Sequence, residues 1–113
     1  GPVLEWTELL DKARGNTGFL MRLFGAFVNE QPTNLAAIRE ALETPDLAHL
    51  AFLAHSLKGA AATMCAPVLR EACHDLERAS RDGDLPRAQA AFAGLETALE
   101  DVLRAMREKV SAA

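Results

Sequence analysis

From Leu85 onward, apolar residues recur at three-four spacing without a break: Leu85, Ala88, Phe92, Leu95, Leu99, Val102 and Met106. That period places them all on one side of an α-helix, and a stripe so long has to be covered by other helices. The pattern is the seam of an antiparallel bundle, with Asp84 as its cap. Sheet is disfavoured for the same chain. Its apolar half leans towards Ala and Leu, β-branched residues are few, and the aromatics are five Phe and one Trp.

Start and stop signals divide the rest into helices. A short one runs from Leu4 to Arg14 on Leu9, Leu10 and Ala13, ending near Gly15-Asn16. Asn16 is placed to cap the second, whose face carries Leu20, Leu23, Phe24, Phe27 and Val28. Pro32 bends or breaks that helix, so the stretch through Leu35, Ile38 and Leu42 to Glu43 is either a kinked extension or a separate helix. The third opens at Thr44-Pro45-Asp46 and runs to about Met64. The fourth spans Pro67 to Asp82-Gly83, with Gly83 where a left-handed residue is wanted. No strands, repeats or linkers interrupt this series. At 113 residues the expectation is one domain, residues 3–113, folded as an all-α, antiparallel up-and-down four-helix bundle with a short additional N-terminal helix, monomeric. Gly1-Pro2 reads as the scar of a protease cleavage.

Charge and cysteine content exclude several classes. A formal charge of -4 offers no basic surface for a phosphate backbone, so no nucleic-acid partner is expected. Cys65 and Cys73 sit among Ala and Leu as reduced, buried thiols, which points to the cytoplasm. From Leu47 to Leu69 the only charged residue is Lys58, yet two His, the central Lys, Gly59 and Pro67 argue against a membrane span, and no direct membrane contact is expected. Three His and two Cys supply neither an i, i+4 His pair nor a Cys-x-x-Cys, so no metal site is expected.

The third helix is unusual on two faces. Leu50, Leu53, Ala54, Leu57, Ala61 and Met64 form its core stripe, and His55 lies about 140° from Leu50 on the helical wheel. Around His55 fall Ala48, Ala51, Phe52, Gly59 and Ala62, small and apolar where charge is expected, which marks an interface. Gly59, one turn after His55, costs about 0.8 to 1 kcal/mol relative to Ala, and reads as clearance for something approaching the imidazole. Lys58 can reach over the same surface to phosphate oxygens. His49 and His74 lack such a setting and read as surface residues; Cys73 continues the core stripe of Leu69 and Leu76, and Cys65 reads as a turn residue.

His55-Ser56-Leu57-Lys58-Gly59-Ala60-Ala61, then Leu69, Cys73, Leu76-Glu77 and Arg81-Asp82-Gly83-Asp84, resembles the signature of the histidine-containing phosphotransfer (HPt) domains of two-component phosphorelays. Phe19 to Leu42 is similar to that family's long second helix, so the resemblance covers nearly the whole chain. One departure is Cys65, where members often carry Gly. The resemblance implies a carrier that accepts a phosphoryl group on His55 from the aspartate of a response-regulator receiver domain and passes it to another, without kinase activity of its own. It implies receivers as partners, and a hybrid sensor histidine kinase as a further one or as the parent protein.

A hairpin of the third and fourth helices turning at Cys65-Ala66 sets side by side residues whose numbers sum to about 132, which pairs His55 with Glu77. Glu77 then accepts a hydrogen bond from Nδ1 and leaves Nε2 to take the phosphoryl group, with Lys58 helping to hold it. The chain has no Walker loop, kinase motif or acidic Mg²⁺ cluster, so it needs no cofactor of its own and Mg²⁺ is expected to arrive with the receiver. The competing readings are the dimerisation region of a sensor kinase, the phosphoacceptor domain of a chemotaxis-type kinase, and a purely structural helical module. The first is disfavoured by Ser56 after the His and the missing Pro; the second shares the His-Ser-x-Lys-Gly pattern.

Overall fold

The computed structural model describes residues 2–113; of the Gly1-Pro2 pair, Gly1 lies outside the described residues. Among the described residues five helices follow one another: α1 Trp6–Lys12, α2 Thr17–Glu43, α3 Leu47–Thr63, α4 Pro67–Arg81 and α5 Leu85–Ala112. Among the described residues there is no strand. The helices α2 to α5 pack as consecutive antiparallel neighbours, and α2 also packs on α5, which closes the bundle.

Asn16 and Asp84 cap where the sequence places them, and of Thr44 and Asp46, both of which could cap the third helix, Asp46 does so. The side chains of Asn16, Asp46 and Asp84 accept from the amides of Phe19, His49 and Arg87 at 2.9, 3.0 and 3.1 Å, each worth about 1 kcal/mol. Gly83 turns α4 off at φ 68°, and the Asp84 amide donates back to the Ala79 carbonyl at 3.0 Å. The α3–α4 turn has the same form with a cysteine in the left-handed position: Cys65 has φ 52°, and the Ala66 amide donates to Ala61 at 2.9 Å. Hydrogen-bonded closure on both sides thus holds a Cβ where members of the resembled family often have none. The first helix is shorter than Leu4 to Arg14, because Arg14 and Gly15 both take positive φ and unwind its end.

Pro32 does not divide α2, which runs unbroken through it. Phe24 and Phe27 before the proline, and Ile38 and Ala41 after it, are buried in the same core, and this packing on both sides holds the axis through the missing amide. The α5 stripe is buried from Ala88 to Met106, with Leu85 half-buried at its start. On α3, Leu50, Ala54, Leu57, Ala61 and Met64 are buried as the wheel requires, and Leu53 is half-buried. At the end of the bundle where α3 turns into α4, α1 closes the core. Its Trp6 ring lies 6.2 Å from Phe24 and 4.1 Å beneath the Lys109 ammonium, and the Glu5 amide donates to the Cys65 carbonyl at 2.8 Å. No helix is long and apolar enough to cross a membrane among the described residues.

Candidate functional site

The site lies on the α3–α4 hairpin and is built around one buried carboxylate. Glu77 comes from the core side of α4 and is only 7% exposed, while His55 projects from α3 and is 60% exposed. His55 Nδ1 and Glu77 Oε2 are 2.9 Å apart. The pairing deduced from hairpin register is therefore present. Lys58 Nζ stands 2.6 Å from the other oxygen, Oε1, in an ion contact outside good hydrogen-bond angles; Oε1 has no hydrogen-bond partner. Arg81, one turn after Glu77, brings Nη2 to 2.7 Å from Oε2.

Burial pushes the Glu77 carboxyl up, but the Lys58 ammonium and the hydrogen-bonded His55 ring outweigh it and hold the group below the usual carboxylate range. Glu77 is thus an ionised acceptor at neutral pH. Its partner at Oε2 has to be a donor, so Nδ1 of His55 carries a proton, and in the neutral ring Nε2 is then the nitrogen with the lone pair. Nε2 has no hydrogen bond within the described residues. This is the tautomer and orientation that nucleophilic attack by an imidazole requires.

A shallow groove opens beside His55, floored by Ala48, Ala51 and Phe52 of α3 and walled by Ser80 and Arg81 of α4. Phe52 is 64% exposed, and Ala48, Gly59 and Ala62 are exposed with it. Ala51 lines the groove but is not exposed as the helical wheel places it: it is buried at the groove's floor, because α3 is covered by α4 as well as by the core. Lys58 is a second correction. Its side chain is only 22% exposed and is held by Glu77 instead of reaching freely over the surface. His49 stacks on Phe52, with ring centroids 6.3 Å apart and planes 13° apart, so it belongs to the apolar face; His74 is half-buried. An added Cβ on Gly59 meets no heavy atom within 4 Å, so nothing inside the bundle requires glycine there.

Arg81 is the site residue that the sequence reading passed over. The signal was present: Glu77 and Arg81 stand at i, i+4 on one helix face. Cys73 is fully buried among the core residues, and the pair Cys65 and Cys73 is unbridged.

Among curated proteins and among solved structures, none is significantly similar to this chain. The family model described as Hpt domain matches residues 22–108, which include the whole α3–α4 hairpin with His55, Lys58, Glu77 and Arg81. A match over most of the chain, on an all-helical bundle that presents a partnered histidine beside an apolar groove, shows that the chain belongs to the Hpt domain family.

Proposed function

We propose that His55 is the phosphoryl-accepting residue, taking the group from the phosphoaspartate of one receiver domain and passing it to the aspartate of another. As an Hpt domain the chain serves histidine phosphotransfer in two-component signalling, as a carrier rather than a kinase, and interacts with receiver domains. The observation that carries the assignment to this residue is the contact of His55 Nδ1 with a buried, ionised Glu77, which leaves an exposed ring with Nε2 unpaired.

In the forward step the Nε2 lone pair forms a bond to phosphorus as the bond from phosphorus to the aspartyl oxygen breaks, and the carboxylate leaves with the electron pair. No proton moves. The imidazole keeps its Nδ1 proton and gains positive character, which Glu77 balances at 2.9 Å. Mg²⁺ enters with the receiver, because the carboxylate nearest His55 is enclosed by Lys58, Arg81 and His55 itself and has no oxygen to offer a cation. The groove of Ala48, Ala51 and Phe52, with Gly59 and Ala62 beyond His55, forms the docking face, apolar and low enough to let the two reacting groups approach in line.

The test is transfer of acid-labile label from a panel of Mg²⁺-loaded, phosphorylated receiver domains, with His55→Gln alongside. Label on the wild type and none on the variant is the expected result. Label on both moves the site away from His55, and label on neither across a broad panel removes the carrier role for this chain.

A further inference from the structure

Three cations surround Glu77, and they are not equivalent. Lys58 faces Oε1, an oxygen buried without any hydrogen-bond partner, and is itself mostly covered. Removing Lys58 strands a buried charge, which is expensive. Arg81 faces Oε2, which already accepts from His55, and its side chain is 62% exposed. Burial of the Glu77 carboxylate is opposed chiefly by Lys58 and His55, which are its partners on the covered side, whereas Arg81 reaches it from solvent. Arg81 is therefore free to leave the carboxylate, while Lys58 is not.

Resting on the reading of His55 as the phosphoryl site, we propose that Arg81, not Lys58, is the side chain that grips the phosphoryl group on Nε2, and that Lys58 is a positioning residue which keeps Glu77 ionised. In the resting protein the local charges of Glu77, Lys58, Arg81 and a neutral imidazole sum to one positive charge, supplied by the exposed guanidinium. When a phosphoryl dianion arrives, Arg81 exchanges a crowded carboxylate oxygen for oxygens carrying more charge. Arg81 lines the same groove as His55, and sharing Oε2 keeps the guanidinium one bridge away from the ring. Its planar fork of five donors suits a phosphoryl group, and water solvates the part that is not used.

The experiment uses a phosphorylated, Mg²⁺-loaded receiver that labels the wild type, and reads the equilibrium share of label on His55. That share is a state function, so the transition state does not alter it, and with both proteins kept well below their docking Kd neither does docking affinity. Losing a charge-assisted pair of bonds to the phosphoryl group, Arg81→Gln should lower the partition constant by about tenfold or more, and Arg81→Lys should restore only part of it. Lys58→Gln should change the partition less than Arg81→Gln does, while moving the Glu77 carboxyl titration upward in a ¹³C NMR series by more than Arg81→Gln does. Arg81 is exposed, so its variants should fold, and circular dichroism checks this. An unchanged partition in Arg81→Gln, or a larger loss in Lys58→Gln than in Arg81→Gln, overturns the division of roles while leaving His55 as the carrier. A wild type that takes no label from any receiver overturns the carrier reading first.

Discussion

Gly59→Ala should make this protein more stable and a worse phosphoryl acceptor. Glycine inside a helix is about 0.8 to 1 kcal/mol less favourable than alanine, and Gly59 lies well inside α3. The new methyl group meets no heavy atom within 4 Å, so no steric cost opposes the gain. The position is exposed, so the methyl group gains little by burial either. The net is about 1 kcal/mol of added stability, or about 4 °C in Tm for a domain of this size. The same methyl group stands one turn from His55 on the face a receiver has to approach, and a displacement of about 1 Å between reacting groups costs on the order of 100-fold in rate. Urea denaturation followed by circular dichroism measures the first effect, and the initial rate of label transfer to His55 the second. A longer side chain, as in Gly59→Leu, should slow transfer further while remaining folded. A destabilised Gly59→Ala would show that the helix does not have open space there, and transfer at the wild-type rate would refute clearance as the reason for glycine.

Other outcomes follow from the carboxylate cluster and the core. Lys58→Met should cost about 3 kcal/mol because it leaves Glu77 buried and short of an ion partner, and the double variant with Glu77→Gln should cost less than the two single changes together; a coupling below about 0.5 kcal/mol in a denaturation cycle would count against the pair. Since folding lowers the Glu77 pKa, the stability it brings is fully present above the ordinary value of 4.5 and is lost as pH falls through the lower folded value; unfolding free energies measured down that range should fall less steeply in Glu77→Gln. Burial pushes the Cys73 thiol from 9.0 up to about 12, so it stays neutral in the folded state and its contribution is complete below pH 9.0 and lost as pH rises towards 12. Iodoacetamide should therefore modify Cys73 only as fast as the protein opens, and rapid labelling of the native state would contradict its burial.

The helix boundaries were legible because single residues decide them. Asn16, Asp46, Asp84 and Gly83 each satisfy backbone groups that no other arrangement would satisfy as well. The contact between His55 and Glu77 was legible because a tight hairpin leaves one register. Continuity through Pro32 was not, since it depends on packing by neighbouring helices and not on the proline's own preference. The helical wheel put Ala51 on an open face because a wheel knows one core direction, whereas α3 meets two neighbours besides the core line. Lys58 was read as a surface cation for a related reason: its partner lies on another helix, and the ion contact competes with solvent only once Glu77 is buried. The resemblance named the family and pointed to His55, and the roles proposed for the surrounding cations had to come from distances and exposure.

The way α1 closes the bundle also decides where this domain can be held. With the Glu5 amide on the Cys65 carbonyl and Trp6 under Lys109, the first and last helices meet at the end where α3 turns into α4. The groove opens from the other end, at Ala48 and Arg81, about 25 Å away by helical rise. A tether fused beyond either α1 or α5 therefore leaves from the end of the bundle remote from Ala48 and Arg81, and its length sets the effective concentration at which a receiver on the same chain meets His55.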